Sequence, residues 1–445
     1  MRKKIRKKSL KKIKKIQNKD FTHIHCHTEY STFDGLNKMS EFVKNARQMG
    51  FRSIGATDHG TVGGLIKFWQ ECRKTYDADQ PGADPIVPLM GCEFYLSRDR
   101  FAKSKDLQPD GRRGNRHIVL LAKNWEGYQN LCALSESSWV DGFYNDPRID
   151  MQLLEKHHSG LICSSACLSS VINSNLLHGR YNEAKKSVGL FKELFGDDFY
   201  LEVMFHGIDA ERYIIPDIIK LSEDTNTKII ASNDVHYFNK EDGKSQEMLM
   251  CMSTSKCIHD EKRIHFPYHE FYLKEAHEML DVFSDIPYAL TNTNEIVDKI
   301  DISSFERNFG GVMRLPKFEI PKEFSNSYNY LCSVAKDGLV NLGLNDSRDH
   351  VERLNIELAD VKVALDNNNY DFSTYFLIVQ DYINWAKGEG IMVGPGRGSG
   401  FGSILLRCLG ISYGPDVISS GLLWERFLGF SSERFVKESD FFEIK

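Results

Sequence analysis

The sequence predicts an α/β protein: a distorted barrel of alternating strands and helices over residues 21–285, followed by an α+β region over residues 286–445. Three observations carry this. Short β-rich runs alternate with helical stretches as far as residue 232. Histidines and acidic residues recur at the ends of those runs, where barrel enzymes gather their chemistry. From Ile286 the rhythm turns helical and leads into a glycine-rich loop.

The strand candidates are FTHIHCH at 21–27, SIGAT at 53–57, PLMGCEFYL at 88–96, HIVLLA at 117–122, GLICSSA at 160–166, FYLEVMF at 199–205 and KIIAS at 228–232. Helices are expected over 40–49, 62–73, 125–138 and 210–223, a βα rhythm whose simplest closure is a (β/α) barrel. Beyond the change of rhythm, helices are expected over 328–340 and 351–365, then YFLIVQDYINWAK, a short strand and the loop. No internal repeat occurs.

At 445 residues the chain is long enough for at least two domains, and no stretch approaches the run of apolar residues that a membrane span requires. Ten cysteines without a CxxC pair, and an N-terminus without an apolar signal core, predict free thiols in a reducing cytoplasm. Residues 1–20 hold eleven Lys or Arg against one Asp, a net +10 within an overall −5, so the remainder carries −15. Such a block reads as a solvated, disordered basic arm, with nonspecific phosphate contact as its functional alternative.

In FTHIHCH, His23, His25 and His27 alternate, and alternate strand residues share a face, so neighbouring imidazoles can share a metal. Asp58 and His59 end the second run, Glu93 sits within the third, His117 opens the fourth, Cys167 follows the fifth, and Asp234 and His236 follow the seventh. Imidazole, carboxylate and one thiolate suit Zn²⁺ or Mn²⁺ better than Ca²⁺ or Mg²⁺, and this many ligands calls for several ions. Clustered metals point to phosphoester hydrolysis. His23 reads as packing, Asp58 as a support for His59, and His157, His158 and His178 as surface positions, while His206 stays unassigned. Cys167 taken alone would read as a structural thiol.

The ordered motifs HIHCHTEYSTFDG, ATDHG, GCEFYL, HIVLLAKNWEGYQNL, DGFYNDPRID, SSACL and ASNDVHYF resemble the PHP domain of the family C polymerase III alpha subunit, a bacterial replicative DNA polymerase. The resemblance implies a PHP (β/α)7-type distorted barrel. It also implies nine ligand positions: His25, His27, Asp34, His59, Glu93, His117, Cys167, Asp234 and His236, none of them substituted. Relatives that keep the full set are similar to metal-dependent 3′-to-5′ exonucleases, so active proofreading is the expectation.

The stretch IMVGPGRGSGFGSILLRCLG has the make-up of a phosphate loop: glycines permit close backbone approach, a helix start follows, and Arg397 and Ser399 can donate to phosphate. It lacks the GK[ST] of a Walker A loop, and a purely structural turn is the alternative. With LGISYGPDVISSGLLWERFL it resembles the start of the family's palm domain. That resemblance implies a role for Gly398 and Ser399 in holding the triphosphate of an incoming dNTP, with Arg397 and Ser403 in support, and a packing role for Trp424, Glu425 and Arg426.

After ERFL the family continues as PDxDxDF, whose later aspartates hold the Mg²⁺ ions of nucleotidyl transfer. This chain reads SSERFVKESDFFEIK, with Phe442 and Ile444 after Asp440 where those aspartates would stand. The expectation is a chain that does not extend DNA alone and is completed by a second polypeptide. By resemblance its partners are a DNA primer-template, dNTP, a sliding clamp and replisome proteins, with no membrane. A stand-alone PHP phosphatase for small phosphate esters and a noncatalytic assembly module are the competing readings.

Overall fold

The computed structural model describes residues 15–75, 84–104, 106, 114–266, 268–309, 316–368 and 371–428. Most of the basic arm, and Asp440, Phe442 and Ile444, lie outside them. The chain divides into two compact units, Met1–Gly310 and Gly311–Lys445. Helices Tyr288–Asp298 and Ile302–Phe309 belong to the first unit, which therefore runs past the change of rhythm at Ile286.

The first unit is a curled mixed sheet of seven strands: β1 Ser53–Ala56, β2 Val87–Leu96, β3 Arg116–Ala122, β4 Arg148–Ile149, β5 Leu161–Ser164, β6 Phe199–Val203 and β7 Ile229–Ala231. The spatial order is β1-β2-β3-β5-β6-β7, with β4 beside β2. Most pairings are parallel, but β3 runs antiparallel to both β2 and β5. The plain βα alternation read from the sequence is broken there, because among the described residues no helix joins β2 to β3 and the chain can return only as a reversed neighbour.

The run at 21–27 is extended, with a bend at His25 and a single bridge from Cys26 to Val235, rather than a ladder strand. It nevertheless fills the gap between the sheet ends. The N–H groups of Gly55 and Thr57 donate to the carbonyls of His23 and Cys26, and the His27 N–H donates to Val235. Gly55 makes this possible, since a Cβ there would stand 2.3 Å from the Ile24 carbonyl oxygen.

Both faces of the sheet are buried, which is why its strands read as continuous apolar runs. The outer face packs on helices such as Met39–Gln48, whose Met39, Phe42, Val43 and Ala46 recur at helical spacing. Asn124, Asp150 and Ser170 start three of the other helices by accepting N–H bonds at 3.0 Å. The inner face carries a smaller cluster, Ile24, Leu89, Val119, Leu121, Ile162, Tyr200 and Ile230, closed by Ile296 and Val297.

Among its described residues the second unit is helical. Helices Ser327–Asn341, Arg348–Asn368 and Phe372–Gly388 enclose a core around Leu331, Leu358, Phe376, Leu405 and Trp424. Residues 391–393, where a short strand was expected, are unpaired chain. Among the described residues of the second unit there is no strand with which they could pair.

Candidate metal centre

The nine expected ligand positions converge at one rim of the sheet. His59, Cys167, Asp234 and His236 follow the C-terminal ends of β1, β5 and β7, and Glu93 lies near the end of β2. His117 reaches the same rim from the start of β3 because that strand is reversed, pairing His117 with Tyr95, two residues beyond Glu93 on the same face. His25, His27 and Asp34 come from the extended segment and the turn after it.

Three triads have ligand atoms within 4.8 Å of one another: His27, His59 and His236; His25, His27 and Glu93; Glu93, His117 and Cys167. Glu93 is the hub. Its oxygens stand 2.7 Å from Nδ1 of His59 and of His117, and 3.8 Å from the Cys167 sulfur. Asp234 Oδ1 lies 3.4 Å from Nε2 of His25 and 3.1 Å from Nε2 of His27. Asp34 Oδ2 lies 3.3 Å from His59 and 3.6 Å from His236.

Five buried atoms of this group, His25 Nε2, His27 Nε2, His59 Nδ1, Asp34 Oδ1 and Asp234 Oδ1, have no well-formed hydrogen bond among the described residues. Unpaired buried donors and acceptors that converge are costly for a protein alone, and suit metal coordination. The residues present therefore fit a multinuclear metal site.

Charge in the cluster is tightly coupled. Burial opposes the charged form of His117, but the Glu93 carboxylate and the Cys167 thiol push its pKa up to about 10. Burial and the facing rings of His59 and His236 instead push His27 down to about 3. Although burial works against its charge, Glu93 is held well below the usual carboxylate range by His117, His59 and His25. Protons and metal ions would compete for these atoms.

Surrounding residues fix the candidate ligands. Glu202, which the sequence reading passed over, is fully buried; its carboxylate lies 2.9 Å from Nδ1 of His25 and accepts from the hydroxyls of Ser164 and Ser232. A lone acid within the apolar run FYLEVMF was the signal available. Asp58 does not bond the His59 ring, contrary to expectation. It accepts from Thr28 N–H at 2.6 Å and from Ser31 Oγ at 2.7 Å, and Ser31 Oγ in turn lies 3.0 Å from Nδ1 of His27 and accepts the His59 N–H.

Asp234 adopts a left-handed backbone, φ 43°, which a non-glycine residue holds only when its surroundings demand it. Asn233 supplies that demand: its amide donates to the carbonyls of Glu270 and Tyr272 at 2.8 Å, and its own carbonyl lies 3.0 Å from Nε2 of His206. His206 thereby acquires a structural place, stacked on Phe271 and bonded to Glu211. His23 packs against Phe21 and Phe51 with Nε2 on the Lys274 carbonyl, outside the centre. His157 and His178 bond Asn130 and Ser174, also away from it.

In the second unit, Arg397, Gly398 and Ser399 are exposed, and Gly398 has the positive φ of 66° that glycine tolerates. Ser403 is fully buried. Its hydroxyl donates to Glu357 and accepts from Leu406 N–H, while Glu357 also takes the N–H groups of Ile404 and Leu405. The helix start after the loop is thus capped from within by a carboxylate. Trp424 packs as expected, its indole N–H on Asp360 at 2.6 Å.

Residues 23–206 match the PHP domain family, and residues 329–436 match the bacterial DNA polymerase III alpha NTPase domain. Over 93% of its length the chain is 39% identical to DNA polymerase III subunit alpha of Helicobacter pylori strain 26695, covering 34% of that protein. The corresponding proteins of Campylobacter jejuni and Borreliella burgdorferi are 39% and 38% identical over 92% of the chain. The chain spans about a third of the length of these curated relatives. With both domains matched in order, the chain belongs to the bacterial DNA polymerase III alpha family and corresponds to its N-terminal region.

Proposed function

We propose that the first unit is a metal-dependent 3′-to-5′ exonuclease that removes mispaired nucleotides during DNA replication. The observation that supports this most is the set of three ligand triads linked through His27 and Glu93, with unpaired buried ligand atoms turned toward one another. Bound Zn²⁺ or Mn²⁺ would supply a water of lowered pKa and neutralise charge on the scissile phosphate. His25, His27, Asp34, His59, Glu93, His117, Cys167, Asp234 and His236 hold those ions. Glu202 orients His25, and Ser31 orients His27.

The second unit is the start of a polymerase palm in this reading. Arg397, Gly398 and Ser399 face solvent and can meet the triphosphate of a dNTP, with Mg²⁺ entering only in a completed polymerase. Ser403, committed to Glu357, supports the loop's shape instead of contacting phosphate. Ile391, Met392 and Leu423 are exposed, Met392 by 96%, and suit burial by the remaining polymerase, on the same or a second polypeptide. The partners are a primer-template, the sliding clamp and replisome proteins in a bacterial cytoplasm. No described helix is long and apolar enough to cross a membrane.

The test is shortening of a 3′-mismatched primer-template by the purified chain with Zn²⁺ or Mn²⁺. Nucleotide release that disappears in His25→Ala and Asp234→Asn, with folding retained, supports the exonuclease. A wild-type chain that binds metal yet releases no nucleotide counts against it.

A further inference from the structure

We infer that the stacked rings of Trp139 and Phe143 form a platform on which the unpaired terminal base of a DNA strand stacks as its 3′ end enters the candidate metal centre. The identity of the strand rests on the exonuclease reading, whereas the platform is argued from its own geometry.

Trp139 lies in the last turn of the helix Trp125–Val140, and Phe143 lies in the chain just after it. Their rings are 5.4 Å apart with 15° between their planes, and the residues are 51% and 44% exposed. Large aromatic rings paired in water present a flat face of the kind a nucleobase covers.

The platform is tied to the centre through one residue. The Trp139 indole N–H donates to the Gly60 carbonyl at 2.8 Å, Gly60 directly follows His59, and the Gly60 N–H donates to the Glu93 carbonyl at 2.8 Å. A Cβ at Gly60 would come within 2.5 Å of Pro147, so the segment carrying Phe143 closes tightly over that backbone. A base held on the rings is therefore held beside two candidate ligands.

Charge favours nucleic acid over an apolar peptide as the occupant. The exposed Lys103 brings its Nζ within 3.3 Å of the Phe143 carbonyl. Stacking surface with an adjoining cation is the combination that grips single-stranded nucleic acid, bases on rings and phosphate on the ammonium group. A paired base keeps its faces in the duplex, so such a platform selects a frayed or mismatched terminus.

The experiment uses the full chain with metal chelated, so that binding is read without cleavage, and a single-stranded oligonucleotide carrying a fluorescent adenine analogue at its 3′ terminus. Quenching on binding is expected. Phe143→Leu should weaken binding about tenfold and Phe143→Tyr should restore it, and an abasic 3′ terminus should bind the wild-type chain about tenfold less tightly. Circular dichroism checks that each variant folds. Equal affinity for abasic and intact termini, or an unaltered affinity in Phe143→Leu, overturns the platform. If the binding results hold but the metal-loaded chain releases no nucleotide, the platform stands and the exonuclease reading fails. Release of nucleotides without quenching removes the platform alone.

Discussion

Nδ1 of His25 lies 2.9 Å from the Glu202 carboxylate, and both side chains are wholly buried. The contact makes Nδ1 the donor and turns Nε2 toward Glu93 and Asp234, so Glu202 positions a candidate metal ligand. Glu202→Gln is expected to weaken metal binding by about ten- to a hundredfold, with circular dichroism unchanged. Calorimetric metal titration measures this, and an unaltered affinity would remove Glu202 from the site.

Cys167 is the one sulfur within the ligand cluster, 3.4 Å from Nδ1 of His117. A Co²⁺-loaded chain should show a thiolate-to-metal charge-transfer band that is absent in Cys167→Ser, because only a coordinated thiolate produces it. Cys72→Ala, which alters a buried cysteine on the helix Leu65–Arg73, should keep the band. A band that survives Cys167→Ser would exclude Cys167 as a ligand.

Glu357 is fully buried, yet it accepts from Ser403, Ile404 N–H, Leu405 N–H and Arg353, the last at 2.9 Å. Removing one member of such a network strands the others. Glu357→Ala should destabilise the second unit by about 3 kcal/mol, read as a lower midpoint for the second unit's transition in thermal or urea unfolding. A shift within scatter would mean that the carboxylate is dispensable to the loop.

Asp198 lies against Lys123 and, at 2.7 Å, Lys299. Burial opposes its charge, but the two ammonium groups hold its carboxyl below the ordinary value of 3.8. A depressed carboxylate pKa contributes stability that is complete above the unfolded value and lost as the pH falls through the folded one. Asp198→Asn should therefore cost about 1 kcal/mol at neutral pH and progressively less in acid, measured by urea unfolding across pH. A difference that does not shrink in acid would contradict this pairing.

The candidate ligands were legible because imidazole, carboxylate and thiol recur at the ends of apolar runs, and that regularity survives without knowing the register of the strands. Strand direction was not legible: HIVLLA is equally apolar read either way, so the reversal of β3 emerges only from its pairing with β2 and β5. His23, read as packing despite its place in the alternation, does pack against Phe21 and Phe51, and the chain bends at His25 after it. Glu202 and Ser31 act through partners far along the chain, which periodicity does not reveal. The same holds for Ser403, whose commitment to Glu357 spans 46 positions. Glycine spacing could mark the loop but not the internal carboxylate that caps the helix after it.

The claim on which the rest depends is that nine side chains form one multinuclear metal centre. Metal content per chain after loading with Zn²⁺ and removal of free ion, measured by mass spectrometry for the wild type and His27→Ala, tests it most directly. The account predicts more than one bound ion in the wild type and a loss larger than one in His27→Ala, since His27 belongs to two of the three triads. A wild-type chain that retains one ion or none, or a His27→Ala chain with undiminished content, would contradict it.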